Sequence, residues 1–302
     1  MKLATTTSNF NGYNLSIKQV VDIYAKTNFK YIDCGIEEDF IQNNPAFFQS
    51  GWENETKKLL EYANKKGLFF VQAHSPMGKP LVKDENYEMF LFTTKRSIEI
   101  SALLGIKNIV VHSGYLPNIS KQECFEKNKK FYEELLILAE KYSVNILTEN
   151  FNKMCINGTY WVDSAKDEKE LVEYVNHPLF HACWDTGHGN LQETTQFEAL
   201  NILGKDAYAL HVQDNFGKQD QHLAPFCGCM DMDSLMRGLN NIGFKGYFTF
   251  ESTNFFLPKS NRKEQFADGV LKSPSLEVKR LSEDLLYEIG KYILTSYNQY
   301  EE

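Results

Sequence analysis

Asn145-Ile146-Leu147-Thr148-Glu149-Asn150 and His181-Ala182-Cys183-Trp184-Asp185-Thr186-Gly187-His188 are two short apolar runs that each end in a carboxylate. Between them, residues 166–176 place apolar side chains at three- and four-residue spacings, the period of a helix packed by one face. A strand, a helix and a second strand in that order form one crossover unit, which joins parallel strands with a right-handed connection. Outward from this unit the same rhythm repeats. Strands are expected at Lys2–Ser8, Tyr31–Ile36, Leu68–Ser75, Asn108–Ser113, Asn145–Asn150, His181–Thr186, Ala207–Gln213 and Tyr247–Ser252. Helices are expected from about Ser16 to Lys26, capped by Asn14 or Ser16, and over 53–66, 86–105, 121–142, 166–176, 232–242 and 277–298. Eight units are enough to close a sheet, so the expected fold is α/β, a (β/α)8 TIM barrel in a single domain over 1–302. The rival, an open doubly wound sheet, lacks its usual glycine-rich turn: Thr5-Thr6-Thr7-Ser8 stands where it would follow the first strand. The segment 254–276, with Pro258, Lys259, Asn261, Arg262 and Lys263, reads as an insertion that folds over the barrel mouth or as a plain surface loop.

The composition is that of an ordinary globular chain, 42% hydrophobic and 24% charged, with no apolar run approaching the ~20 residues of a membrane span. No secretion signal is visible in MKLATTTSNF, and the cysteines Cys34, Cys124, Cys155, Cys183, Cys227 and Cys229 show neither a disulfide framework nor a zinc spacing. Reduced thiols and a cytoplasmic location are expected; a homo-oligomer is compatible with the sequence. The formal charge of −8 disfavours a nucleic-acid partner, because an acidic surface repels a phosphate backbone.

In a barrel the C-terminal strand ends converge on one site, and here they are rich in acids and imidazoles. Strands three and four end in Gln72-Ala73-His74-Ser75 and Val111-His112-Ser113-Gly114, and strand five ends in Glu149-Asn150. Strand six ends in Asp185-Thr186-Gly187-His188, strand seven in His211-Val212-Gln213-Asp214-Asn215, and strand eight in Glu251-Ser252. Glu149, Asp185, His211 and Glu251 fall on four successive strands at equivalent depth. Three carboxylates brought face to face repel one another unless a cation lies between them. These four are therefore the expected ligands of one divalent metal, with Mn²⁺, Mg²⁺, Co²⁺ or Zn²⁺ suited to oxygen-rich ligation with one imidazole. Trp184, Phe151, Tyr115, Tyr160, Trp161 and Phe216 fall beside the same mouth, either stacking on a ligand or packing its rim.

These strand ends, with Asp220-Gln221-His222, resemble the xylose isomerase-like barrel superfamily of sugar isomerases, ketose epimerases and endonuclease IV-type enzymes over nearly the whole chain. The resemblance implies that Glu149 and Glu251 exchange a substrate proton beside a carbonyl, through a cis-enediolate. It implies that His188 contacts the substrate, with His74, His112, Asp214, Asp220 and His222 around it. The expected partner is a small carbohydrate, and a lyase acting on glycosides would begin with the same proton removal. The superfamily also implies an alternative, a zinc phosphodiesterase acting on abasic DNA. His74, His112, Glu149, Asp185, His188, His211, Asp220, His222 and Glu251 match in order the ligands of its three-metal site. Against that stands the loop Asn215 to Gly228, which has Lys218 as its one basic side chain. Asn215-Phe216-Gly217-Lys218 also departs from the arginine usual there in ketose 3-epimerases, and no phosphate-binding nest follows strands seven or eight.

Overall fold

The structure is a computed structural model that describes residues 1–152, 160–255 and 274–302. Eight parallel strands make one sheet: β1 (Leu3–Thr6), β2 (Tyr31–Gly35), β3 (Phe69–His74), β4 (Asn108–Val110), β5 (Asn145–Glu149), β6 (Phe180–Asp185), β7 (Ala207–His211) and β8 (Phe248–Phe250). Neighbours in sequence are neighbours in the sheet, and β8 returns to pair with β1. Closure between β7 and β8 is made just past β7, where Val212 N donates to Thr249 O at 2.7 Å and Glu251 N donates to Val212 O at 3.0 Å. The fold is a (β/α)8 TIM barrel.

The helices are α1 (Ile17–Tyr24), α2 (Glu38–Asn43), α3 (Trp52–Lys65), α4 (Tyr87–Leu103), α5 (Lys121–Tyr142), α6 (Ala165–Val175), α7 (Thr186–Asn190), α8 (Gln196–Leu203), α9 (Met232–Ile242) and α10 (Leu276–Ser296). Their starts follow local chemistry. Ser16 with Gln19 forms a capping box on α1, while the hydroxyls of Ser120, Ser164 and Ser275 accept the free amides of α5, α6 and α10. The helix α8 was not expected, although Thr195 and Glu198 form a capping box at its start. α2 and α7 are single short turns without an apolar period, which is why periodicity passes over them. The proposed insertion over 254–276 falls for the most part outside the described residues, as does Cys155. The other five cysteines are free thiols, and among the described residues no helix is long and apolar enough to cross a membrane.

Alternation along the strands sorts two layers. Ile146, Ala182, Trp184, Leu210 and Val212 point outward into the main core beneath the helices. Val110, Leu147, Cys183 and Ala209 form a separate small apolar cluster that fills the barrel. Two residues further on the same faces come His112, Glu149, Asp185 and His211, so the plug of the barrel is the floor of the site.

One acid interrupts the apolar face of α6. Glu168 is fully buried, and among the described residues no basic side chain stands within ion-pair distance of it. Burial pushes its carboxyl well above the usual range, and the charge of Glu149 pushes it further. Folding therefore takes up a proton here as pH rises above the ordinary carboxylate pKa of about 4.3, and stability falls from that point toward the raised folded value. Glu168→Gln is expected to raise the Tm at pH 8 and to flatten its decline between pH 5 and 8. An unchanged slope would contradict this.

Candidate metal centre and active site

Asp185 closes β6 and caps α7, so its carboxylate is held by the backbone it terminates. Its Oδ1 accepts His188 N at 2.6 Å and Gln213 Nε2 at 3.2 Å, while Oδ2 is buried without a hydrogen bond. Glu149 ends β5 in a similar state. Its Oε1 lies 2.9 Å from His211 Nδ1, and its Oε2 makes no hydrogen bond. Glu251, just past β8, brings Oε2 to 3.8 Å from the same His211 nitrogen. The ligand atoms of Glu149, Asp185, His211 and Glu251 all lie within 4.8 Å of one another. With metal–ligand bonds of about 2.0–2.6 Å, that spread fits donors around one ion. Two orphaned carboxylate oxygens in a sealed site, aimed into such a ring, are what a divalent cation would satisfy.

The imidazole of His211 is fixed from behind. Asp33 Oδ2 lies 3.2 Å from its Nε2, and the Gln72 amide lies 2.9 Å from the same atom. A carboxylate on the far nitrogen sets the tautomer and the ring orientation of a ligating histidine, and its loss typically costs 10–100-fold in metal affinity. Asp33→Asn is thus expected to weaken metal binding by about that factor while leaving the fold intact. Titration of a metal-free preparation measures it, and wild-type affinity would remove Asp33 from this role.

Two further groups flank the tetrad. His74 and His112 approach Glu149 Oε2 at 3.5 and 3.4 Å, with their own Nε2 atoms 3.1 Å apart. On the other side, Asp220 joins His188 Nε2 at 3.0 Å and His222 Nε2 at 3.2 Å. Each triad brings its ligand atoms within 4.8 Å, and Glu149 belongs both to the tetrad and to the His74–His112 group. Gln213 ties the sets together, its amide reaching Asp185 at 3.2 Å and Asp220 at 3.0 Å. Gly187 makes room for it: a Cβ at that position would stand 2.0 Å from Gln213 Cδ.

The electrostatics describe a site that binds cationic charge. Burial raises the Glu149 carboxyl, yet His211 and His112 outweigh it and hold the group well below the usual range. Burial takes the Asp185 carboxyl up to about 7. Burial also opposes charge on His188 and His74, but Asp185 and Asp220 lift the first to about 10 and Glu149 with Glu37 lifts the second to about 9. Burial drops His112 to about 3. Imidazolium protons hold the acids together here, and a metal would compete with them for the same lone pairs.

The structure brings together nine of the ten expected site residues and places Asp214 elsewhere. Both Asp214 oxygens are taken by backbone amides, Oδ1 by Asn215 at 2.7 Å and Met230 at 2.9 Å, Oδ2 by Gly228 at 2.9 Å. Asp214 pins the loop that carries Asp220 and His222. Trp184 also leaves the mouth, because it alternates with Asp185 and faces the helices, donating to Gln196 Oε1 at 2.8 Å. Tyr160 is buried against Ser113, whereas Phe151 sets its ring on His112 and His188, with centroids 5.2 and 4.9 Å away. Asp33, Gln72, Gln213 and Glu37 were not expected. Of these, Asp33 and Gln72 share the interior face of their strands with the site, which strand alternation would have revealed.

A family model described as "Xylose isomerase-like TIM barrel" matches residues 21–271. Among curated relatives, an uncharacterized protein of Sinorhizobium fredii is 25% identical over 52% of this chain and 51% of its own length. Fructoselysine 3-epimerase of Escherichia coli O157:H7 is 24% identical over 60% of this chain and 64% of its own. The chain thus spans about half to two thirds of the length of these relatives. Among solved structures, a D-tagatose 3-epimerase-like protein superposes with a TM-score of 0.74 at 19% identity, covering 99% of this chain and 98% of the other. The IolI protein with a binding zinc atom gives 0.72 at 19% identity, covering 100% of both chains. At these identities the structural likeness is one of fold.

Proposed function

Because the chain belongs to the xylose isomerase-like TIM barrel family, we propose that it is a divalent-metal-dependent epimerase or isomerase, moving a proton beside the carbonyl of a carbohydrate. The observation that carries this reading is the tetrad, in which Glu149 and Glu251 both border the position faced by His211 Nδ1. A substrate carbon held against that position has two carboxylates within reach. The sugar epimerases among the relatives and neighbours support the substrate class.

A bound ion would polarise the substrate oxygens as a Lewis acid. The protein's own groups do the rest. One glutamate takes the proton from the carbon beside the carbonyl, leaving the electron pair shared between that carbon and the carbonyl oxygen. The other returns a proton, to the opposite face of the same carbon in an epimerase or, with the hydroxyl proton passing to the former carbonyl oxygen, to the neighbouring carbon in an isomerase. Asp33 and Gln72 keep His211 oriented, and Gln213 keeps Asp185 and Asp220 in register. His74, His112, His188, Asp220 and His222 hold substrate hydroxyls in this reading. Phe151 shields the His112 and His188 rings from water.

A second reading rests on one specific observation, the two flanking triads with Glu149 shared between ion positions. If His74 with His112, and His188 with Asp220 and His222, ligate metals of their own, the site resembles that of a three-metal phosphodiesterase. The experiment that separates the two is elemental analysis of protein purified without chelator, paired with assays on a sugar panel and on an abasic DNA duplex. About one ion per chain and sugar turnover support the first reading, whereas three zinc ions and strand cleavage support the second.

A further inference from the structure

Backbone register between β5 and β6 runs as far as Glu149 opposite Cys183, while β6 continues to Asp185. Beyond that point a side chain takes over on the β5 side. Asn150 Oδ1 accepts Asp185 N at 2.7 Å, and Asn150 Nδ2 donates to Asp185 O at 3.0 Å. A primary amide carries a donor and an acceptor in one plane, as a peptide unit does, so it can extend the ladder past the end of a strand. Both residues are fully buried, and without this partner the Asp185 N–H and C=O on that side would face neither backbone nor water. The main chain of Asn150 has a separate task. Its carbonyl accepts His188 Nδ1 at 2.9 Å, which turns the Nε2 of that ring toward Asp220 Oδ2 at 3.0 Å. His188 N then returns to Asp185 Oδ1 at 2.6 Å, closing a set of three residues that begins directly after Glu149.

We propose that Asn150 is a positioning residue for the metal centre, its side-chain amide fixing the backbone of Asp185 and so aiming the free Oδ2 of that ligand into the tetrad. The inference rests on the metal-centre reading and needs nothing from the choice of substrate. Asp185 Oδ1 is already committed to His188 N and Gln213, so the direction of Oδ2 follows from where the backbone stands. A ligand set works only if its donors are held to within about 0.5 Å. Asp185 ends its strand, with His211 of β7 in register on one side and Asn150 on the other. An ionised carboxylate has no donor and an aliphatic chain has neither group, so an amide is what the two bonds require. The same device recurs away from the tetrad. Asn128 of α5, also fully buried, accepts Gly114 N at 2.6 Å and donates to Gly114 O at 2.9 Å, in the loop after β4. Gly114 carries no ligand atom, which makes Asn128 a clamp of like kind without a metal to aim at.

The test compares wild-type protein with Asn150→Ala, Asn150→Ser and Asn128→Ala, each prepared metal-free and titrated with Co²⁺. Calorimetry gives the affinity for the first equivalent, the visible absorption of bound Co²⁺ reports the geometry of its ligands, and thermal unfolding of the metal-free proteins gives the loss of stability. Asn150→Ala is expected to bind Co²⁺ about tenfold more weakly or worse, the scale of a lost outer partner of a metal ligand, and to shift the absorption bands. Asn150→Ser keeps a polar group too short to reach both Asp185 atoms. It should lose affinity as well, and it carries the comparison where the alanine variant does not fold. Asn128→Ala is expected to lower the Tm by a similar amount while keeping the wild-type affinity and spectrum. Wild-type affinity and spectrum in a folded Asn150→Ala or Asn150→Ser protein overturn the assignment and leave the tetrad standing. An equal loss of affinity in Asn128→Ala also overturns it, because the effect is then one of general destabilisation. Wild-type protein that binds no Co²⁺ ends the metal-centre reading and this inference with it.

Discussion

Glu149→Gln and Glu251→Gln, each loaded with metal, are expected to turn over substrate about 10² times more slowly than wild type or worse, the scale of a lost general acid or base. The amide keeps the shape of the side chain and removes the group that titrates. Both residues also border the ion position, so the comparison is made at metal concentrations that restore wild-type occupancy. Glu149 should show the larger secondary effect on occupancy, since its second oxygen also faces His74 and His112. Glu251 has a single such neighbour, its Oε2 facing His222 Nδ1 at 3.5 Å. A metal-loaded variant of either glutamate that matches the wild-type rate would remove the two-carboxylate mechanism.

Asp185→Ala or His211→Ala is expected to abolish stoichiometric metal binding, which elemental analysis after dialysis measures directly. The reason is geometric: Asp185 and His211 are fully buried and contribute two of the four ligand atoms that lie within 4.8 Å of one another. In the intact protein, metal loading is also expected to release protons, because His211 is held in its charged form well above the usual imidazole range. Burial alone would discharge that ring, but Glu251, Glu149 and Asp33 keep it protonated. Affinity should therefore fall as pH is lowered. Calorimetry in two buffers of different ionisation enthalpy reads the proton count. Wild-type occupancy in both alanine variants would sink the ligand assignment.

The strand rhythm was readable in the sequence because the barrel strands are mostly buried on both faces, which makes them largely apolar, and because every unit repeats the same period. Seven of the eight strands lie within their expected runs and β6 starts one residue early, at Phe180, while β4 and β8 stop early: His112 and Glu251 lie past their strands, where the backbone turns toward the mouth. The site was readable to the extent that chemistry concentrates at strand ends. Asp214 lies elsewhere than expected because an acid at the head of a loop looks the same in sequence whether it faces a ligand or its own backbone amides. Alternation places Asp33 on the interior face of β2, but its role there depends on His211 arriving from β7 across the barrel. Glu37 was hidden for a similar reason, since it joins the site only when the β2 end meets His74 of β3.

The measurement closest to the central claim is incubation of the metal-loaded protein with neutral ketoses in deuterated water, followed by NMR of the recovered sugar. The account predicts that one solvent deuterium replaces one carbon-bound proton beside the carbonyl, and that Glu149→Gln and Glu251→Gln slow this exchange. Sugar conversion with no deuterium at any carbon would contradict it, and so would cleavage of abasic DNA by a protein that exchanges no sugar proton.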